Sequence, residues 1–159
     1  MRIIGGKNKG KKIYLPIDKN TRPLRDLVKE SIFNLIQHSS KFSVSILNSS
    51  VLDLFSGTGS FGLECFSRGA KFITFVENYA CVLNILKKNI SNMNAFSCSE
   101  IIENNCFELM NENKNFSKKF DIIFLDPPYN YKNINFLIDQ IIDNKILKKG
   151  GIILIHRHK

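Results

Sequence analysis

The residues Asp126, Pro127, Pro128 and Tyr129 combine chemical groups that could hold a flat amine. They follow the apolar stretch 121–125, whose pattern predicts a strand. Because prolines have a fixed φ and no N–H to give to a sheet, they would end this strand in a rigid turn. If the Asp126 carboxylate and the Pro127 carbonyl each accept one N–H of an exocyclic amine, its lone pair becomes available for attack, and the Tyr129 ring can stack on the base. These four are the predicted catalytic residues; the alternative is a turn that only ends a buried strand.

A glycine-rich loop follows an earlier predicted strand. Gly57, Gly59 and Gly62 have the spacing G-x-G-x-x-G at the start of a predicted helix, where glycine permits a tight turn and the helix offers unpaired N–H groups. Glu77 ends the next predicted strand, about twenty residues further on, where a carboxylate can accept both hydroxyls of a ribose. The pattern predicts a cofactor that contains a nucleoside.

The same glycine spacing is typical of two cofactors, NAD and S-adenosylmethionine. Asp53 lies just before the loop, where it would repel a pyrophosphate but attract the cationic sulfonium and ammonium of S-adenosylmethionine. The Asp-Pro-Pro-Tyr turn has no evident task in hydride transfer. We therefore expect S-adenosylmethionine, with Phe55 and Phe61 flanking the loop as possible apolar contacts.

Strand and helix patterns alternate from residue 51 onward, which predicts an α/β domain with a mostly parallel sheet covered on both faces. Ligands bind such sheets at the carboxyl ends of the strands, where the groups described above would meet. Asn104 and Asn105 follow the third predicted strand in the same way. The predicted strands are 51–55, 72–76, 99–103, 121–125 and 151–155, and the predicted helices are 25–38, 60–68, 79–92, a short helix through 110, and 134–144.

Positive charge is concentrated at the start of the chain. Residues 1–30 contain nine Lys or Arg and three Asp or Glu, so they carry six of the nine net positive charges. This asymmetry predicts a polyanion partner, because phosphate contacts release counterions; the alternative is a solvated lysine face. We expect a basic β-hairpin and turn over residues 1–23, followed by a Rossmann-like domain over 24–159 within one globular unit. The predicted RNA-binding residues are Lys7, Lys9, Lys11, Lys12, Arg22 and Arg25, with Lys29 within reach.

Composition excludes several classes of protein. No run approaches the roughly 20 apolar residues of a membrane helix, and the first residues do not form a secretory signal. The four cysteines lack metal-ligand spacing, which favours a reduced, cytoplasmic setting, and Cys106 is expected to pack rather than to react. The histidines His38, His156 and His158 also lack ligand spacing, so we expect them to be surface groups and expect no bound metal. We also expect the protein to be a monomer.

Several segments together resemble the RsmD-type bacterial 16S ribosomal RNA guanine-N2 methyltransferases. The segments are Arg2 to Gly6, Gly10 to Lys12, Thr21 to Pro23 with Asp26, Val28 to Glu30, Phe33 with Asn34, Asp53 to Glu64 and Asp121 to Tyr129. The opening hairpin combined with the Arg-Pro helix is specific to that family, whereas the last two segments are shared with many amino methyltransferases. The resemblance implies methylation of a guanine in 16S rRNA, in the small ribosomal subunit or its assembly intermediate. It also implies that Glu77 holds the ribose, that Asn105 faces the adenine, and that the hairpin with Arg22 and Arg25 grips RNA.

The chain departs from that family in three ways. Leu24 replaces a usual threonine, and Asn105 stands where aspartate is common. The family also continues past the fifth strand into an antiparallel pair of strands, which predicts an uncovered sheet edge here. One alternative is a shortened, non-catalytic protein that binds RNA or cofactor. Another is an amino methyltransferase acting on DNA adenine or protein glutamine, for which Asn-Pro-Pro-Tyr is commoner than the Asp version found here. Whether Asp126 accepts a proton or only orients the amine stays open.

Overall fold

A parallel sheet of five strands, in the order β3-β2-β1-β4-β5, forms the centre of the computed structural model, which describes residues 1–17, 24–111, 116–128 and 133–157. All four pairs of neighbouring strands are parallel, so the predicted α/β class is confirmed. The strands are β1 Ser50–Leu54, β2 Phe72–Glu77, β3 Ser99–Glu103, β4 Phe120–Leu125 and β5 Leu147–Ile155. The helices are α1 Asp26–His38, α2 Ser60–Ser67, α3 Ala80–Asn92, α4 Cys106–Asn111 and α5 Ile134–Asp143.

Helices cover both faces of the sheet, because the strands are apolar on both sides. Successive side chains of a strand point to opposite faces, so Val51 and Ile122 join one core while Leu52 and Ile123 join the other. The first core contains side chains of α1, α2 and α3, and the second contains side chains of α4 and α5. The result is a three-layer arrangement that leaves both ends of the strands accessible to loops.

The N-terminal segment is bound to the first core rather than separate from it. The predicted hairpin is present as one antiparallel bridge between Arg2 and Lys12. The Ile3 N–H donates a hydrogen bond to the Lys11 carbonyl at 2.9 Å and supports this pairing. Ile3 and Ile13 are buried in the same core as the helices of that face. The predicted boundary at residue 23 lies outside the described residues.

The predicted elements agree with the observed ones except at the start of β5. This strand begins at Leu147, four residues before its predicted start, and includes the pair Gly150 and Gly151. The register between β4 and β5 shifts between Phe120 and Ile122, and Gly150 has a φ of 80°. A bulge that uses glycine in this way lets the strand continue through residues that otherwise indicate a turn.

The prediction that Lys29 of α1 lies within reach of bound RNA is wrong. Its side chain is 0% exposed, and Nζ donates to the Arg2 carbonyl at 2.5 Å and lies 3.8 Å from the Glu64 carboxylate of α2. Burial lowers the pKa of the Lys29 ammonium, opposed by the charges of Glu64 and Asp26. The residue therefore joins α1, α2 and the N-terminal segment internally. By contrast, the apolar side chain of Leu27 on the same helix is 75% exposed.

Candidate active site

The carboxyl ends of β1, β2 and β4 form one edge of the sheet. Leu54 lies in register with Val76 on one side and with Leu125 on the other. The next residues of β2 and β4, Glu77 and Asp126, therefore flank the end of β1. The strand order reverses at β1, since β2 and β3 lie on one side of it and β4 and β5 on the other. Such a switch in strand order is where α/β sheets form a ligand crevice.

The loop between β1 and α2 needs its glycines for packing against the protein itself. Gly59 has a φ of 80°, and a Cβ there would lie 2.5 Å from Cδ1 of Leu86 in α3. A Cβ on Gly62 would lie 2.4 Å from a ring carbon of Phe75 in β2. Gly57, with a φ of 54°, also requires the left-handed region. Two of the three glycines are thus explained by helix and strand contacts, a reason that the motif spacing did not reveal.

Glu77 is held firmly by backbone donors. Its carboxylate accepts N–H bonds from Gly57 at 2.7 Å, from Asn78 at 2.8 Å and from Tyr79 at 2.9 Å. A carboxylate offers about four lone-pair positions, so three such bonds still leave it capable of accepting from a ligand. The side chain links the glycine loop to the start of α3. Its contact with a ribose stays a prediction.

Asp53 lies beneath the glycine loop rather than on its outer side. It is 1% exposed, and Oδ2 accepts the N–H of Gly62 at 2.9 Å. Burial raises the pKa of this carboxyl well above its usual range, and the charges of Asp126 and Glu77 add to the shift, whereas the Gly62 hydrogen bond opposes it. Its observed task is to hold the start of α2, and direct contact with a cofactor stays a prediction.

Asn105 caps α4. Its side-chain oxygen accepts the N–H of Phe107 at 2.9 Å, which occupies part of the group predicted to face an adenine. Phe55 has a φ of 59° and lies 6.2 Å, centroid to centroid, from the Phe107 ring. The neighbouring Cys106 packs in the second core, as expected, and burial raises the pKa of its thiol to about 12.

Phe61 does not take part in the candidate site. It is 2% exposed and stacks on Phe124 of β4 at 4.0 Å and on Phe33 of α1 at 5.4 Å. The side chain is therefore part of the first core. The sequence predicts Phe61 only as a possible apolar contact of the cofactor, and the structure instead places it in the core, where the first turn of α2 aims it towards the sheet.

Asp126 has a partner that the sequence did not reveal. Oδ1 lies 2.8 Å from Nδ1 of His156, which follows β5, and the His156 side chain is only 17% exposed. The expectation that His156 is a surface group is therefore wrong. Pro127 is half-buried and Pro128 is exposed, while Tyr129 lies outside the described residues. The structure thus brings Asp126 to the same edge as Glu77.

The predicted RNA-binding lysines lie away from this edge. Lys7, Lys9, Lys11 and Lys12 are all exposed. The Lys7 N–H bonds to the carbonyl of Ser67 at the end of α2, and Lys11 Nζ bonds to the carbonyl of Asn92 at the end of α3. Both helices start at the carboxyl edge of the sheet and return the chain to the opposite edge. Arg25 is exposed just before α1, and Arg22 lies outside the described residues.

Two residues of α3 that sequence reasoning missed connect to the N-terminal segment. Lys88 Nζ lies 4.0 Å from the centre of the Tyr14 ring and so adds positive charge beside Lys12. Asn89 is 0% exposed and bonds both to the backbone of Tyr14, at 2.8 and 3.0 Å, and to the Thr58 carbonyl at 2.9 Å. The only available signal was a polar residue on the apolar face of a predicted helix.

The described residues contain neither a metal-ligand group nor a membrane-crossing helix. In those ranges no group of three or more His, Cys, Asp or Glu side chains could hold a metal ion. A bilayer-crossing segment would need a helix that is both long and apolar, and none of the helices described here meets both conditions.

Comparison with known proteins gives consistent matches over the whole chain. Residues 1–159 match the family model described as Conserved hypothetical protein 95. The ribosomal RNA small subunit methyltransferase D of Buchnera aphidicola (subspecies Acyrthosiphon pisum) is 36% identical over 157 residues, which cover 99% of this chain and 78% of the relative. The protein of the same name from Haemophilus influenzae is 34% identical over 160 residues, covering 100% and 79%.

Solved structures give the same fold. The structure of "Putative methyltransferase yhhF from Escherichia coli" superposes with a TM-score of 0.82 at 30% identity, covering 100% of this chain and 81% of that one. The structure of "putative methylase HI0767 from Haemophilus influenzae" gives a TM-score of 0.76 at 33% identity, covering 99% of this chain and 81% of that one. The chain therefore has the Rossmann-like fold of S-adenosylmethionine-dependent methyltransferases.

Proposed function

We propose that this chain, which belongs to the family described as Conserved hypothetical protein 95, methylates the exocyclic N2 amine of a guanine in 16S ribosomal RNA. The methyl donor is S-adenosylmethionine. The observation that carries the proposal is the placement of Glu77 and Asp126 on either side of the end of β1. The names of the relatives support a small-subunit RNA substrate. The choice of guanine N2 rests on the sequence resemblance.

The residues at this edge fit the cofactor. The charges of Asp126 and Glu77 add to the effect of burial in raising the pKa of Asp53, which shows that these acidic groups lie close together around the end of β1. A sulfonium and an ammonium would relieve that repulsion. Glu77 would hold the ribose hydroxyls and Phe55 would supply an apolar contact. When bound, S-adenosylmethionine supplies an electrophilic methyl group at this edge.

The turn after β4 would hold the substrate amine. Asp126 accepts one N–H and the Pro127 carbonyl accepts the other, so the nitrogen lone pair turns away from the base ring and towards the end of β1. The Tyr129 ring is proposed to stack on the base. Most of the rate enhancement would come from orientation of the amine and electrostatic complementarity to it.

The basic surface would bind RNA at a distance from the reacting base. Lys7 and Lys11 contact the ends of α2 and α3, and Lys12 and Lys88 lie beside the Tyr14 ring. With the exposed Lys9, their contacts with phosphates would position the RNA without reading its sequence. The guanine must leave its stack to reach Asp126, and a single-stranded loop permits this at low cost. A ribosomal RNA substrate would place the protein in the cytoplasm.

A panel of substrates tests the proposal. Transfer of tritium from labelled S-adenosylmethionine would be measured with assembled small subunits, partly assembled subunits, free 16S rRNA, duplex DNA and a glutamine-containing protein. We expect transfer to small-subunit RNA only. Transfer to DNA or protein instead would assign another amine, and a soluble protein that binds the cofactor but transfers nothing to any RNA would overturn the proposal.

A further inference from the structure

The carboxylates that flank the end of β1 are held by different means. Glu77 is fixed by the N–H groups of the two residues that follow it, Asn78 and Tyr79. The two residues that follow Asp126 are prolines, which have no N–H to offer. The terminal torsion of an aspartate is broad, so a hydrogen bond to the carboxylate limits its rotation. The residue that follows β5, His156, lies at hydrogen-bond distance from the Asp126 carboxylate.

We infer that His156 is a positioning residue that holds the Asp126 carboxylate in the orientation needed to accept the substrate amine. The inference rests on the proposed function of Asp126. Nδ1 of His156 lies 2.8 Å from Oδ1 of Asp126. A carboxylate only accepts hydrogen bonds, so Nδ1 carries the proton and donates it in the bond. That bond uses one position on Oδ1, and an aspartate has further lone pairs for the amine.

The backbone fixes both partners. β4 and β5 pair in parallel as far as Leu125 and Ile155, and the His156 N–H continues the pattern by bonding to the Leu125 carbonyl at 2.9 Å. The Asp126 N–H points to the Leu54 carbonyl of β1 at 3.5 Å. The side chains of His156 and Asp126 are 17% and 26% exposed, so the bond between them is partly shielded from water.

The assignment distinguishes His156 from a residue that merely ends a strand. A group that only stabilises the fold would affect stability and cofactor affinity, whereas a positioning residue would affect turnover through Asp126. The two tasks are separated by variants that keep or remove the donor. Asparagine can place its amide N–H near the position of Nδ1, so His156→Asn keeps the donor without an imidazole, and His156→Ala removes it.

The test measures kcat and KM for methyl transfer to small-subunit RNA, and Kd for S-adenosylmethionine by calorimetry, with the full chain. We expect His156→Ala to lower kcat by about 10- to 100-fold, the loss that misplacing a reacting group commonly causes, with Kd and KM nearly unchanged. We expect His156→Asn to recover most of that loss. Equal losses in His156→Asn and His156→Ala, or a parallel loss of cofactor affinity, would overturn the inference.

A double-mutant cycle with Asp126→Asn makes the test specific to this pair. In the Asp126→Asn background, which keeps a side-chain oxygen but lacks the carboxylate, His156→Ala should change the residual kcat by less than about twofold. A full additional loss there would overturn the inference while the proposed function stands. If wild-type protein that binds cofactor transfers no methyl group to RNA, the proposed function fails, and the inference fails with it.

Discussion

At the scale of single residues, the carboxyl groups of the candidate site differ in how strongly water is excluded from them. Asp53 is 1% exposed beneath the glycine loop, whereas the Asp126 side chain is 26% exposed at the end of β4. A buried carboxyl next to other acidic groups favours its protonated form. The folded protein therefore holds a proton on Asp53 over a range of pH in which the unfolded chain does not.

The Asp53→Asn variant should remove a pH dependence of stability. The folded pKa of Asp53 is raised, while the unfolded value is about 3.9, so the folded state binds more protons between those values. The wild-type free energy of unfolding should fall relative to that of the variant as pH rises from about 4, by at most about 1.4 kcal/mol per pH unit. The asparagine oxygen can still accept the Gly62 N–H.

Urea unfolding of both proteins over a pH series measures this difference. Asp143→Asn, at an exposed helix end, serves as a control for the loss of one negative charge. A difference between wild type and Asp53→Asn that stays constant over the series would contradict the account of Asp53.

At the scale of elements, a buried ion cluster joins α1, α2 and the N-terminal segment. The Glu64 carboxylate accepts the Ile4 N–H and the Arg68 side chain, each at 2.9 Å, and lies 3.8 Å from Lys29 Nζ. Removing one partner of a buried pair leaves a charge with poorer compensation, which costs more than the pair itself contributes. The cluster thus fixes how the N-terminal segment is seated on the helices.

The Lys29→Met variant should lower the free energy of unfolding by about 3 kcal/mol, because Glu64 then keeps only part of its compensation. The comparable change at an exposed pair, Lys87→Met, should cost less than about 1 kcal/mol, since the Lys87 and Glu103 side chains are about half exposed. Equilibrium unfolding in urea gives both values. Similar losses in the two variants would show that the cluster does not stabilise the fold.

The elements were predictable from sequence, and so were the strand ends that meet at the site. Parallel strands bring their carboxyl ends to one edge, so the alternation of strands and helices is enough to place Glu77 and Asp126 together. The pair Asp126 and His156 was not predictable, because the two residues are 30 positions apart and their contact depends on the register of β5. The bulge at Gly150 sets that register, and its glycine resembles a turn signal.

The burial of certain polar side chains also could not be predicted from the sequence. Lys29 lies on the buried face of α1 together with Phe33 and Ile36, a position that its charge disfavours, and Glu64 lies opposite it on another helix. Asn89 likewise joins Tyr14 to Thr58 across three separate segments. Such bonds depend on how helices pack against each other, and no local pattern encodes that.

At the scale of the whole molecule, the basic surface and the candidate active site occupy different regions. The backbone and side-chain contacts of Lys7 and Lys11 lie at the ends of α2 and α3, whereas Asp126 lies at the opposite edge of the sheet. An RNA that reaches both must extend along the face of α2 and α3. Substrate affinity and turnover should therefore be separable by mutation.

The Lys9→Glu and Lys11→Glu double variant should weaken RNA binding and reduce the slope of log affinity against log salt by about two, one for each lost phosphate contact. Its affinity for S-adenosylmethionine should be unchanged. The matched control is Lys145→Glu with Lys149→Glu, which makes the same charge change at exposed positions beside α5 and β5. Equal weakening in the two double variants would indicate attraction by net charge alone.

The most direct test of the account compares wild-type protein with Asp126→Ala. Labelled methyl transfer to small ribosomal subunits would be followed by mass spectrometry of the 16S rRNA, with S-adenosylmethionine binding measured in parallel. We predict N2-methylguanine at one position with the wild type, and loss of turnover in Asp126→Ala with cofactor affinity within about threefold of the wild-type value. Methylation that persists in Asp126→Ala, or a parallel loss of cofactor binding, would contradict the central claim that Asp126 holds the amine.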